Sequence, residues 1–338
     1  MLSCDPNKPE RVVAEVACAE PGTVEKAVAA AKTAFVDWSA TPAEKRADCL
    51  FKAAERVRTI RHDLAALLVY EGGKNWNEAQ ADICEAVDFL EFYGREMIRL
   101  NQPRVASELP GESSRLEYIP RGVGAVIATW NFPLPISIGM TSAAIVTGNT
   151  VLYKPASHTP AIGQAVYDIF NSVDLPKGVL NFVPGPGGEI GDALVTHKDV
   201  AFTLFTGSKE VGLGIIEKSG RTPEGAHQVK NVIAEMGGKN AIIIDSDADF
   251  DAAVWPVIQS AFGYMGQKCS AASRLIVLEE NYDKFVAKFK YAVETLLGGP
   301  AEDPRSDIGA VIDAEAKERI EKYIEIGKTE GQLLTWGA

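Results

Sequence analysis

The chain has 338 residues, 46% hydrophobic and 24% charged, with a net charge of −12 and a pI near 5.0. This acidity argues against nucleic acid or an anionic membrane surface as the main partner. The length suggests two domains, and neither a signal-peptide core nor an apolar run long enough to span a bilayer is visible.

The first third reads as helices. Thr23 is placed to cap a helix whose apolar stripe is Val24, Ala27, Val28, Ala31, Ala34, Phe35 and Trp38. Thr41-Pro42-Ala43-Glu44 has the form of a capping box and opens a second helix to about Ile60. A third runs from about Asp63 to Gly72-Gly73, and a long fourth carries Ala79, Ile83, Ala86, Val87, Leu90 and Tyr93 on one face. After Pro103 the pattern changes. Residues 113–121 alternate like an exposed strand that ends in a turn. Strands GVGAVIAT, TVLYKP, VLNFVPG and AFTLFTG then alternate with helices, the last of these helices starting at Ser208. From Glu235 the alternation resumes: NAIIID, a helix over Phe250–Met265, SRLIVL, and helices over Tyr282–Leu297 and Ala314–Gly327. LLTWG near the C-terminus reads as a strand and turn. The expected class is α/β with a mostly parallel, Rossmann-type sheet.

The five cysteines (Cys4, Cys18, Cys49, Cys84 and Cys269) are scattered, with no CxxC pair. That pattern fits a reducing, cytoplasmic setting and no structural zinc. The four histidines show no metal-ligand spacing, so no metal is expected and each is read as a surface or packing residue. Cys269 alone, within GQKCSAASR, is more simply a small buried apolar residue than a nucleophile.

Four loops follow strands at their C-terminal ends, where open α/β sheets bind ligands. They are Thr129–Pro133 (TWNFP), Lys154–Ser157 (KPAS), Phe205–Ser208 (FTGS) and Glu235–Asn240 (EMGGKN). Gly207 and Ser208 open a helix whose N-terminus suits a diphosphate, and the glycines of GPGGEIG, Gly187 among them, allow backbone near a ligand. Taken singly, Asn131 is a turn residue, Glu235 a surface carboxylate and Lys154 a solvated strand end.

Together with GQKC, in this order and with this separation of Glu235 from Cys269, the motifs resemble the aldehyde dehydrogenase family over nearly the whole chain. QVKNVIAEMGGKNAIIID and GQKCSAASR resemble its pyrroline-carboxylate branch, as does Met140, where many other members have lysine. The resemblance implies a Rossmann-type NAD-binding domain over residues 1–236 and part of a catalytic domain over 237–338. It implies oxidation of glutamate-γ-semialdehyde to glutamate in proline catabolism, through a thiohemiacetal and a thioester. Cys269 is then the nucleophile, Asn131 an oxyanion donor and Glu235 the general base. Thr129, Trp130, Lys154, Ser157, Gly187, Gly207 and Ser208 line the cofactor site. NAD is the favoured cofactor. Ser157 stands where many NAD-specific relatives have glutamate, which leaves NADP open. The partners implied are a small aldehyde and further copies of the chain, which associate through the strand near 113–121. Two other readings stand beside this one: a dehydrogenase of another semialdehyde, such as a succinate-type one, and a non-catalytic nucleotide-binding fragment. Family chains continue well past the position of Ala338, so the chain is expected to be part of a longer protein and to lack full activity by itself.

Overall fold

The computed structural model describes residues 1–102 and 104–335. Two compact units divide the chain: residues 1–3, 14–64 and 81–235 form the first, and 4–13, 65–80 and 236–338 the second.

The N-terminus is not helical. β1 (Leu2–Asp5) and β2 (Lys8–Glu15) form a two-stranded sheet. Their connection is an Asx turn in which the Asn7 amide donates to Asp5 Oδ1 at 2.8 Å. The helices expected next are present as α1 (Pro21–Ala40), α2 (Ala43–Thr59), α3 (Arg61–Gly72) and α4 (Trp76–Leu100). Their starts differ from expectation. α1 begins two residues before Thr23, with Glu20 at the cap position. α2 is capped at Pro42 without a side-chain bond, because the Thr41 hydroxyl donates to the carbonyl of Asp37 at 2.9 Å and so finishes α1. The stripe of α4 is core: Ala79, Ile83, Ala86 and Leu90 are all buried.

β3 (Arg104–Leu109) and β4 (Glu112–Leu116) form an antiparallel hairpin, and β4 is exposed along its whole length. The strand expected over 113–121 thus ends at Leu116, and residues 117–122 are irregular.

The body of the first unit is a five-stranded parallel sheet in the order β7-β6-β5-β8-β9. Its strands are β5 (Val123–Ile127), β6 (Thr150–Lys154), β7 (Leu180–Phe182), β8 (Val200–Thr206) and β9 (Asn231–Glu235). β5 and β6 are buried at every position, which is why they read as unbroken apolar runs instead of alternating ones. α5 (Pro135–Val146) and α6 (Pro160–Asn171) connect β5 to β6 and β6 to β7, moving outward in one direction. α7 (Gly187–Thr196) leads from β7 back to β8, and α8 (Lys209–Ser219) onward to β9, in the other direction. Right-handed crossovers therefore put α5 and α6 on one face and α7 and α8 on the opposite one. α1 joins α7: Val24, Val28 and Ala31 pack with Ile190, Leu194, Ala125 and Leu152 in one buried cluster.

In the second unit, β10 (Asn240–Ile244) pairs in parallel with β11 (Ala272–Val277), and α9 (Phe250–Phe262) crosses between them. The helix expected to reach Met265 stops at Phe262, and residues 263–266 form a separate turn. α10 (Glu279–Glu294) starts and ends three residues before the expected Tyr282–Leu297, and α11 (Ala314–Glu330) runs three past Gly327. Ile244, Val257 and Phe285 form the local core, with the ring of Phe250 edge-on to Phe285 at 5.6 Å. Residues 4–13 join this unit through charge. Arg11 bonds the buried Asp5 at 3.0 Å and Glu302 at 2.7 Å. In the LLTWG segment, Leu333–Thr335 are irregular, and the remainder lies outside the described residues.

Candidate active site

The strand order fixes where a ligand can enter the first unit. After β5 the chain turns to one face of the sheet and after β8 to the other, so a crevice opens between the C-terminal ends of these two neighbouring strands. The loop Thr129–Pro133 stands at the end of β5, and Phe205–Ser208 at the end of β8. Sequence reasoning placed its motifs at strand ends, and the topology adds that two of them flank this switch point.

Within the β5 loop, the hydroxyl of Thr129, itself buried, lies 2.8 Å from Asn131 Oδ1 and donates to it. That bond sets which end of the Asn131 amide carries the N–H donors. Trp130 is half-buried, and its ring centre is 6.2 Å from that of His158, an exposed histidine that packs beside the loop. Across the switch, the hydroxyl of Thr206 meets the sulfur of Met140 on α5 at 3.5 Å. The Gly207 amide donates to the carbonyl of Glu235 at 3.0 Å and ties the end of β8 to the end of β9. Ser208 caps α8, accepting from the Val211 amide at 3.3 Å. The Glu235 side chain, on the last residue of β9, is exposed.

Lys154 ends β6. It is 4% exposed, and its ammonium donates to the Pro155 carbonyl at 3.0 Å. Burial lowers its pKa to about 8. A Cβ added at Gly187, the first residue of α7, would lie 4.0 Å from Lys154 Cε, so the start of that helix and the lysine stem share one space. Ser157 Oγ lies 3.5 Å from the Gly185 carbonyl in the same region.

These residues fit a dinucleotide. A cationic donor is held at a strand end, a glycine-opened helix start adjoins it, and a second helix N-terminus at Ser208 offers backbone N–H groups. An open depression of the first unit, about 560 Å³, lies elsewhere. It is lined by Phe51, Lys52, Ser172 and Asp174 beside the C-terminus of α6, which leads to the starts of strands and not to their ends.

Burying the Lys154 ammonium is costly, and the sign of its pH dependence follows from the lowered pKa. Below pH 8 the folded and unfolded chains both hold the proton, and the full cost is present. Between about 8 and the ordinary 10.5 the unfolded chain binds more protons, so stability rises with pH. The cost is on the order of 3 kcal/mol. Lys154→Met is therefore expected to raise the melting temperature at pH 7, with the gain disappearing toward pH 10.5, while weakening nucleotide affinity. Thermal melts across that range, paired with titration calorimetry, measure both.

Cys269 lies in the second unit, between the turn at 263–266 and β11, and is exposed. Asn240 donates to the Cys269 carbonyl at 2.8 Å and to the Ala271 carbonyl at 3.2 Å. A Cβ at Gly238 would come within 3.3 Å of that same Cys269 oxygen, so EMGGKN and GQKC meet along their backbones. Exposure alone does not single Cys269 out, since Cys18 and Cys84 are exposed too. Cys84 faces outward because it lies beside the apolar face of α4 and not on it. None of the five cysteines is bridged, and no helix among the described residues is long and apolar enough to cross a membrane.

Comparison with known proteins agrees with this arrangement. The sequence model of the aldehyde dehydrogenase family matches residues 1–338. The chain is 47% identical to a 1-pyrroline-5-carboxylate dehydrogenase of Anoxybacillus flavithermus, over all of this chain and 65% of that protein. It is 44% identical to one from Bacillus subtilis, again over 65% of its length. Among solved structures, 1-pyrroline-5-carboxylate dehydrogenase from Thermus with bound NAD superimposes with a TM-score of 0.97 at 45% identity, covering 100% of this chain and 66% of that one. Proline utilization A from Bdellovibrio bacteriovorus gives 0.98 at 44% identity, covering 35% of that chain. The chain thus spans about two thirds of the length of its dehydrogenase relatives, and it belongs to the aldehyde dehydrogenase family.

Proposed function

We propose that the protein carrying this chain oxidises glutamate-γ-semialdehyde to glutamate with NAD, as a step of proline catabolism. The observation that carries this reading is the set of motif residues at the ends of adjoining parallel strands, together with an exposed cysteine in GQKC. The names and identities of the relatives support the choice of substrate.

Bound NAD accepts a hydride. The first unit would supply its seat: Lys154 would donate to ribose hydroxyls, Gly187, Gly207 and Ser208 would admit the diphosphate to helix starts, and Thr129, Trp130 and Ser157 would line the approach. A planar aldehyde carbon is a poor hydride donor, and addition of a nucleophile makes it a good one. The Cys269 thiolate adds to the carbonyl carbon, forming a C–S bond and leaving an oxyanion. Asn131 Nδ2 and the Cys269 backbone N–H donate to that oxyanion, an effect worth about 3 kcal/mol per donor. Loss of hydride leaves a thioester on Cys269. Glu235 takes a proton from the attacking water, the C–S bond breaks, and the acid departs as the thiolate returns. Ser157 brings no carboxylate to the ribose 2′ position, so a 2′-phosphate meets no charge repulsion there and NADP stays open beside NAD.

The exposed segment from β4 through Ile119, where Leu116, Tyr118 and Ile119 are 52%, 58% and 81% exposed, supports association between copies. Unbridged, scattered cysteines support a cytoplasmic setting. The test is NADH formation with glutamate-γ-semialdehyde and with succinate semialdehyde, each with NAD and NADP. Preference for the glutamate aldehyde in kcat/KM by about tenfold or more is the expected result. Preference for the succinate aldehyde would replace the substrate assignment, and nucleotide binding without NADH from either would favour a non-catalytic role.

A further inference from the structure

Three consecutive residues ahead of Cys269 have left-handed backbone: Tyr264 at φ 50°, Met265 at φ 55° and Gly266 at φ 70°. Only the last is glycine, and a Cβ there would be 3.0 Å from the Ala261 carbonyl. Side chains such as tyrosine and methionine rarely adopt this conformation, and it persists only where the surroundings enforce it. Here they do. Tyr264 is 1% exposed, and its hydroxyl donates to the Gly72 carbonyl at 2.5 Å. The ammonium of Lys74, itself completely buried, sits 4.3 Å from the centre of the Tyr264 ring. On the other side of the turn, Lys268 pairs with Glu78 at 2.7 Å. Asn240 bridges the carbonyls of Cys269 and Ala271. Both acceptors are carbonyl oxygens, so the group facing them is the amide NH2 and both of its protons are used. The turn ahead of Cys269 and the carbonyls of Cys269 and Ala271 are thus held by segments distant in sequence.

We propose that Tyr264 and Asn240 are positioning residues for Cys269. Tyr264 locks the left-handed turn and Asn240 braces the peptides beyond it, so that the thiol and its own backbone N–H are presented in a single arrangement. This inference rests on the reading of Cys269 as the nucleophile. Neither residue touches the reacting atoms; each acts through the backbone of 264–271.

The test uses Tyr264→Phe, which keeps the ring and removes its bond to Gly72, and Asn240→Ala, which removes the brace. Hydrogen exchange reads the geometry without any turnover. Amides of 264–271 are expected to exchange about tenfold faster or more, while those of β5 remain as protected as before. In rapid-mixing experiments with NAD and aldehyde, the NADH burst is expected to slow about a hundredfold, with KM and nucleotide affinity nearly unchanged, because a small misplacement of a reacting group costs rate and not binding. A general loss of folding would instead expose β5 and weaken nucleotide binding together, and that result would overturn a positioning role. An unaltered burst in both variants, with a normal burst in the unsubstituted protein, would overturn this inference alone. No burst in the unsubstituted protein would overturn the nucleophile reading and this inference with it.

Discussion

Cys269→Ala is expected to remove NADH formation, lowering turnover by about 10⁴-fold or more, while NAD still binds within about twofold of its original affinity. The reason is chemical. Without a thiolate the aldehyde carbon stays planar, and the oxyanion donors have no tetrahedral adduct to stabilise. The residues assigned to the nucleotide are all at or before Ser208, so its affinity has no cause to change. The discriminating control is Cys84→Ala, because Cys84 is equally unbridged and exposed. It is expected to leave turnover unchanged. Stopped-flow absorbance of NADH reads rate, and calorimetry reads affinity. Retained activity in Cys269→Ala, or its loss in Cys84→Ala, would assign the thiol chemistry elsewhere.

Glu235→Gln separates the two halves of the reaction. The amide keeps the size of the side chain but cannot accept a proton from water, so thioester hydrolysis slows by about 10²–10⁴-fold. Formation of the thioester asks nothing of this residue. The expected trace is a burst of NADH close to one per site, followed by a slow steady rate. Equal loss of burst and steady state would mean that Glu235 acts before hydride loss or holds the fold. The structure speaks against the latter, since its side chain is exposed and Glu235 is tied in through its backbone, by pairing with β8 and by the Gly207 amide.

The sequence carried the parallel sheet well, because β5, β6 and β8 are largely apolar, buried runs separated by segments of helix length. It was least informative where strands are half exposed. β9 alternates between exposed and partly buried positions, and its five residues fell within a stretch read only for its motif. The β1–β2 sheet had a readable signal in its Asp5-Pro6-Asn7 turn, but few apolar residues flank it, and charge pairs such as Arg11 with Asp5 and Glu302 hold it. Capping chemistry misled at Thr41, where one hydroxyl had two possible roles and served the preceding helix. The places of most candidate site residues in the fold were legible, since strand ends and motifs coincide. Tyr264 was not. A left-handed turn containing tyrosine and methionine is imposed by tertiary contacts to Gly72 and Lys74, and only Gly266 hints at it in the sequence.

The central claim is a covalent acyl intermediate on Cys269, and a single mass measurement addresses it. Glu235→Gln protein is mixed with NAD and glutamate-γ-semialdehyde, quenched in acid during the slow phase, digested and analysed by peptide mass spectrometry. The peptide containing GQKCSAASR is expected to carry the glutamyl acyl group as a thioester on Cys269, in an amount matching the NADH burst. Burst NADH with Cys269 unmodified, or with the acyl group on another cysteine, would contradict it.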